Sequence, residues 1–465
     1  MISKFFTILL TIPWICYSQP AQQNSSGSAI LDQYIAQGLS NNLLLKQERL
    51  EIAKALQSLR QAKAFFYPHV TFAPTYSVAF GGRRLAFPVG DMLNPAYAAL
   101  NELTGADRFP TDIRNIDELL APNNFHDTKI SFQYSLYNPE LRYNYLIQNS
   151  LLSASEAKAG VVAAEVRYAV AEAYYGYLKA LKIQEVYRKS RETLVELVRL
   201  NTRLVDHNVI TKDAVLAAEY ELSVADRQGI EVEKNLKTAS AYFNFLLNRE
   251  FDEEIRVDTL IGKSPFVLPE QIDLQQLISF ALTGRPELKQ LDYSVLAAGQ
   301  ARQLQEKAAA LPSLFIGGNA GFQGYGYHFK NQEYLVAQLG LRWDLFKGNE
   351  RKARISQAQI QEDILKVRQT EAERRIMLEV TQAYYTLRAS EEGLKVAGAS
   401  ADKARAYYAV VDSRYRNQNL LLVEYLKAVN DWQTARIQEV LARYEFLTQM
   451  AHLERVTGAS RLAAP

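Results

Sequence analysis

Between residues 140 and 206 the chain has no proline, and glycine appears only at Gly160 and Gly176. Apolar side chains recur at helical spacing, as in Val170, Tyr174, Tyr177 and Leu181, while Glu165, Arg167, Glu172 and Lys179 fill the other faces. The pattern predicts one amphipathic helix over 140–206. At 1.5 Å per residue such a helix is about 100 Å long, whereas a globular helix averages roughly 11–12 residues. A rod of this length belongs to a coiled coil or a helical tube. A second of the same kind is predicted over 349–415. The remaining sequence is then what sits at the ends of the rods.

The 465 residues carry a formal charge of only +2, so no strong field points to nucleic acid, and 48% hydrophobic residues exclude general disorder. The N-terminus has the form of a secretory signal over residues 1–18. Lys4 is the positive region, residues 5–15 the apolar region, and Cys16-Tyr17-Ser18 precedes a cut at Gln19. A lipoprotein cut before Cys16 is the alternative, opposed by the bulk of Trp14 and Ile15. Cleavage after Ser18 discards the only cysteine and with it any disulfide. No later run reaches the roughly 18 apolar residues of a transmembrane helix.

After the linker at 19–27, short helices are predicted over 29–39 and 43–66, the second stopped by Pro68. The period then changes to two. Val70, Phe72, Tyr76, Val78 and Phe80 alternate with Thr71, Ala73, Thr75, Ser77 and Ala79, a strand over 69–80. A second strand covers 128–137, with Ile130, Phe132, Tyr134 and Leu136 against Ser131, Gln133 and Ser135. The intervening loop, 81–127, is long enough to be functional or external, and holds possible short helices at 95–104 and 116–120. The first rod ends at His207-Asn208, and a helix follows over 212–248. A connector occupies 251–283, with a possible short strand and a helix over 274–282.

The order then begins again. A helix over 287–311 is stopped by Pro312; strands cover 313–323 and 333–345; the second rod breaks at Asn417-Gln418-Asn419; a helix covers 423–456 and a tail 458–465. Residues 19–250 and 284–457 therefore read as two structural repeats. Ala173-Tyr174-Tyr175 recurs as Ala383-Tyr384-Tyr385, and Val215-Leu216-Ala217-Ala218 lines up with Tyr425-Leu426-Lys427-Ala428. Both pairs share an offset of about 210 residues.

Strands of this kind fit either a half-buried soluble sheet or an outer-membrane barrel. The export signal, the rods and the lack of any other core to cover the strands favour the barrel. Four strands cannot close one, since about eight is the minimum, and lipid tolerates no open sheet edge. Several chains must contribute, and three would supply twelve strands. The expected fold is α+β, mainly α: long antiparallel coiled-coil helices forming an α-barrel, plus four strands per chain in a trimeric twelve-stranded transmembrane β-barrel. Thr, Ser, Gly, Gln and Asn would line its lumen.

The chain resembles the TolC family of outer-membrane efflux proteins over essentially all of its mature length. The resemblance rests on the duplicated layout, on Arg285-Pro286-Glu287-Leu288 after a short helix, and on the helix-stop prolines before the first and third strands. It rests also on the passages DLFKGNERKARISQAQ at 344–359 and RYRNQNLLLVEYLKAVNDWQTAR at 414–436. It implies a homotrimer in outer-membrane lipid, with a tunnel through the periplasm of a Gram-negative envelope. The far end is gated and docks a periplasmic membrane-fusion adaptor fed by an inner-membrane pump, of the RND or ABC class. The role implied is passive exit duct of tripartite efflux or type I secretion.

In that family two acidic residues three apart on the last helix line the closed end, and the matching positions are Glu424 and Lys427. The second reverses sign, so an alternating ring replaces a carboxylate constriction. An exposed i,i+3 pair on an outer helix face is the alternative. The family's locking tyrosine matches Tyr415; its acidic partner falls at about Ala214, beside Asp213, and an arginine of the lock falls at Leu420. The adaptor-docking tips are expected at His207, Asn208, Val209, Ile210 and Thr211, and at Asn417, Gln418 and Asn419. Asn tolerates the left-handed backbone that family tips reach with glycine. Trp343, Tyr137 and Phe346 are candidates for an aromatic girdle, with core packing as the alternative.

No catalytic, cofactor or metal site is expected. His69, His126, His207, His328 and His452 lack ligand spacing, and the phosphate-loop, nucleophile-elbow and zinc-protease motifs are missing. The chain is read as a non-enzyme. The rival class is a periplasmic coiled-coil adaptor or scaffold without a pore.

Overall fold

The computed structural model describes residues 29–258, 261 and 273–458. Their order is α1 Ala29–Asn41, α2 Leu43–Ala64, β1 His69–Ser77, β2 Arg84–Phe87, α3 Val89–Thr104, β3 Ile116–Leu119, β4 Phe125–Tyr137, α4 Pro139–Asp206 and α5 Asp213–Leu246. Then come α6 Leu274–Gly284, α7 Pro286–Ala310, β5 Ser313–Tyr325, β6 Glu333–Arg342, α8 Glu350–Arg416 and α9 Leu422–Thr457. The signal segment 1–18 with Cys16, the greater part of 259–272, and the tail beyond Gly458 lie outside the described residues.

Helices α4 and α8 run for 68 and 67 residues. The start of α4 is specified locally. Pro139 takes the first helical position, where a missing N–H costs nothing, and Asn138 Oδ1 accepts the Glu140 N–H at 2.9 Å. Asp273 caps α6 in the same way, accepting from the Gln275 N–H at 2.9 Å. No described helix is long and apolar enough to cross a membrane.

The chain divides into two compact units, Met1–Leu50 with Ala157–Lys289 and Thr370–Pro465, and Glu51–Glu156 with Gln290–Gln369. The first is helical and holds an aromatic core. Tyr34 packs edge-on against Phe243 at 4.9 Å, and Tyr174 lies 5.6 and 5.5 Å from the two. Each fully buried aromatic of this kind contributes about 2–3 kcal/mol. Their hydroxyls are used as well: Tyr174 donates to the Arg256 carbonyl at 3.0 Å, and the Arg256 N–H donates to Tyr34 at 2.8 Å. The connector after α5 is thus held by hydrogen bonds, and residues 251–258 form no strand. The two Ala-Tyr-Tyr triplets differ in environment, for Tyr174 and Tyr175 are buried whereas Tyr385 is 62% exposed.

In the second unit β1, β4, β5 and β6 form an antiparallel sheet in the order β1-β4-β5-β6. Phe72, Ile130, Ala320 and Leu335 are in register across it, as are Tyr134, Ile316 and Leu339. Thr71, Ser131, Asn319 and Val336 share the opposite face, next to Gln133, Gly317 and Gln338. Apolar and polar columns therefore separate by face across all four strands. The apolar face is uncovered: Phe72, Leu335 and Leu339 are 66%, 79% and 68% exposed. On the polar face Phe315 lies over Gly340, where a Cβ would come within 2.2 Å of its ring.

Three expectations are corrected. Residues 116–120 are not a helix; β3 pairs antiparallel with β2, and Arg84 bridges to Asp117 at 2.7 Å. The helix expected from 95 starts at Val89 and carries Pro95 inside it. Strand β6 ends at Arg342, so Trp343 lies past the sheet. The insertion is ordered by asparagines: Asn94 closes on both N–H and C=O of Ile113, and Asn101 on those of Phe109.

Candidate functional site

The helical turns of the first unit are built from two matching helix ends. Asn208 and Gln418 adopt left-handed backbone, with φ of 57° and 61°. The Val209 N–H reaches the Leu204 carbonyl and Asn208 reaches Val205, both at 2.8 Å; Asn419 reaches Arg414 and Gln418 reaches Tyr415, both at 2.9 Å. Each is a Schellman motif, which satisfies carbonyls that the helix end leaves open. His207, Asn208, Val209, Thr211, Asn417, Gln418 and Asn419 are exposed, and Ile210 is half-buried.

Behind the turns, α4, α5, α8 and α9 share an apolar cluster that includes Leu197, Ala218, Val411, Tyr415, Tyr425 and Ala428. A polar chain runs through it. Tyr415 donates to Asn201 Oδ1 at 2.7 Å, and Asn201 Nδ2 donates to the Ala214 carbonyl at 3.0 Å. Asn201 is completely buried, and these two bonds fix its amide orientation. Tyr415 stacks on Tyr425 at 4.7 Å. Tyr425 donates to Asp412 at 3.2 Å, and Asp412 pairs with Arg416 at 2.9 Å. Burial raises the Tyr415 hydroxyl, opposed by its bond to Asn201, and burial raises Tyr425 further. Both therefore stay protonated donors at neutral pH. The Arg416 guanidinium is raised by its bond to Asp412.

Asp213 is not the partner of Tyr415. It is the first residue of α5, exposed, where a carboxylate suits the positive end of the helix. The polar partner is Asn201, from α4, and the Ala214 position enters through its backbone carbonyl. Glu424 and Lys427 are exposed on α9 and form no ion pair with one another. Sequence reasoning missed Asn201, Asp412 and Tyr425. The one available signal was a lone asparagine inside the apolar run at the end of α4.

At the end of the sheet where β4 and β6 finish, Tyr137, Trp343 and Phe346 are 46%, 51% and 87% exposed. Phe65, Phe66 and Tyr67, immediately before β1, are likewise exposed and were overlooked. A second aromatic group occupies the opposite end. Phe125 meets Tyr325 at 5.5 Å, Tyr76 meets Tyr327 at 6.0 Å and Phe322 meets Phe329 at 5.0 Å. Among them His126 is fully buried and donates from Nε2 to Gln332 Oε1 at 2.6 Å and to the His328 carbonyl at 3.0 Å.

The family model described as outer membrane efflux protein matches residues 277–459. This part of the chain is therefore similar to outer membrane efflux proteins. The matched segment contains β5, β6, Tyr415, Glu424 and Lys427. Solved channels extend the likeness to nearly the whole chain. The Campylobacter jejuni CmeC outer membrane channel superposes with a TM-score of 0.74 at 16% identity, over 92% of this chain and 86% of that one. The Neisseria gonorrhoeae MtrE outer membrane channel in its open state gives 0.73 at 15%, over 93% and 89%. The Vibrio cholerae outer membrane protein VceC gives 0.71 at 14%, over 92% and 96%. At such identities the likeness is one of fold. Comparison with curated proteins gave no match.

Proposed function

We propose that this protein is an outer membrane efflux protein, the exit duct of a tripartite efflux or type I secretion system. It conducts passively, as a homotrimer, what an inner-membrane RND or ABC pump delivers through a periplasmic adaptor. The observation that carries the reading is the sheet. Its apolar face is uncovered, its opposite face is largely polar, and β1 and β6 each have one strand neighbour and one open edge. In lipid each unpaired backbone group costs several kcal/mol. Pairing β1 of one chain with β6 of the next removes both edges, and three chains give twelve strands. The aromatic groups at the two ends of the sheet, with Tyr137, Trp343 and Phe346 in one of them, then lie at the membrane interfaces. The insertion between β1 and β4 lies outside the cell.

The internal duplication supports a tunnel of repeated helix pairs. Asn208 and Gln418 are equivalent helix ends, and so are Asn248 and Gly458, all four with positive φ and each pair 210 residues apart. On this reading the exposed turns dock the adaptor. Glu424 and Lys427 face the pore at the closed periplasmic end, and Tyr415 with Asn201 holds α8 against α4. Residues 1–18 are removed on export.

The test is electron microscopy of full-length protein extracted from outer membranes in detergent, followed by planar-bilayer conductance. A three-fold tube with a short barrel and a measurable pore is expected. A rod obtained without detergent and lacking a pore would instead identify a periplasmic scaffold.

A further inference from the structure

We infer that the helical unit carries a lateral pocket for organic anions with an apolar body, between the middle of α4 and the middle of α9. The cavity is about 600 Å³, a size that suits a drug-sized ligand. Leu178, Leu181 and Val186 of α4, Val257 of the connector and Val440 of α9 supply apolar wall. Trp432 lines it too, stacked on Tyr408 with ring centroids 4.7 Å apart.

The charge on the lining is unbalanced. Lys182, Lys189, Arg405, Arg436 and Arg443 face three carboxylates, Glu185, Asp258 and Glu439. Two of the carboxylates are already shared. Glu185 lies between Lys182 at 2.9 Å and Lys189 at 3.1 Å, whose hydrogen bonds hold its carboxyl down at about 2. Glu439 lies between Arg436 at 2.8 Å and Arg443 at 3.0 Å. Arg405 has no ion-pair partner among the described residues. An acidic group on a ligand would supply Arg405 with a counter-charge while its apolar body lies on the wall that Trp432 shares. A neutral or cationic guest would leave Arg405 without one. The ligand class is therefore an aromatic or alicyclic sulfonate or carboxylate, one ring system in size.

The pocket lies within one chain, so the inference goes beyond the duct reading and does not depend on it. The test uses the purified full-length protein and two probes, the anion dansyl sulfonate and neutral dansylamide. Tryptophan-to-dansyl energy transfer reports occupancy. Saturable transfer with dansyl sulfonate is expected, and it disappears in Trp432→Phe. Arg405 is exposed, so Arg405→Gln spares the fold; it weakens binding about fivefold to tenfold. Val440→Phe, which fills the cavity, abolishes binding, while dansylamide binds at least about tenfold more weakly. Equal binding of the two probes, or unchanged binding in Arg405→Gln, overturns the proposal. Absence of saturable transfer in the wild type also overturns it, and means that a second copy of the chain or packing within the assembly fills the space.

Discussion

Removing the Tyr415 hydroxyl tests the closed state most directly. Tyr415→Phe keeps the ring on Tyr425 and deletes one 2.7 Å hydrogen bond to a buried asparagine. A typical bond of this kind is worth about 1 kcal/mol net, and leaving Asn201 Oδ1 without a donor adds further cost, so about 1.5 kcal/mol per chain is a fair magnitude. In the proposed trimer, three copies opening together would sum to roughly 4.5 kcal/mol, on the order of a thousandfold in the closed-to-open ratio. Asn201→Ala also removes the bond to the Ala214 carbonyl and should shift the equilibrium further. The double variant should recover about 1 kcal/mol relative to additivity, because the pair is in contact. Single-channel recording in planar bilayers gives the open fraction, and thermal unfolding gives the accompanying loss of stability. Both partners are neutral, so the shift should persist from roughly 0.1 to 1 M salt, over which a surface ion pair is screened out. An unchanged open fraction in both single variants, with the turn region intact, refutes the assignment of this pair as the lock.

In the proposed trimer, Lys427→Glu would turn an alternating ring into one of six carboxylates; cation selectivity and block by trivalent cations should appear in the same bilayer recordings. Leu339→Arg puts a charge on the exposed apolar column and should cost about 2–4 kcal/mol near the bilayer midplane, seen as loss of trimer from outer membranes. Gln338→Lys, on the opposite face, should leave trimer yield unchanged. Gln418→Gly relieves a left-handed backbone at φ 61° and should slow hydrogen exchange at the α8 turn by an amount equivalent to about 0.5–1 kcal/mol.

The rods were legible because no proline falls between Pro139 and the turn at Asn208 and the apolar periodicity runs on through that stretch. The sheet faces were legible because period two puts Phe72 and Ile130 on one side whatever the partner strand is. Strand β3 was not. Ile-Asp-Glu-Leu has only four residues and acids that suit a helix, and what makes it extended is pairing with Arg84–Phe87, well back along the chain. Tyr415 was found by correspondence along the chain, but its partner was not. Asn201 belongs to a different helix, and Ala214 takes part through a carbonyl that no side-chain pattern reports. Phe65, Phe66 and Tyr67 were missed for a related reason: the helix expected over 43–66 ends at Ala64, which leaves them at the junction between α2 and β1.

The departures at the helical turns point in one direction. The expected acid, Asp213, is exposed at the start of α5 and the tyrosine bonds an amide, Asn201, instead, while a lysine stands where a second acid was expected on α9. Neither contact brings two carboxylates together. Among these contacts the remaining acid, Asp412, is matched by Arg416 one turn along its own helix and accepts from Tyr425. A closed state held by like-charged carboxylates is strained by their repulsion and eased by cations. One held by Tyr415–Asn201 and an alternating Glu424–Lys427 ring has no such repulsion to relieve. On the proposed reading, opening is driven by contacts that compete for packing and hydrogen bonds around Tyr415 and Tyr425, and the exposed Schellman turns at Asn208 and Gln418 lead directly into that cluster.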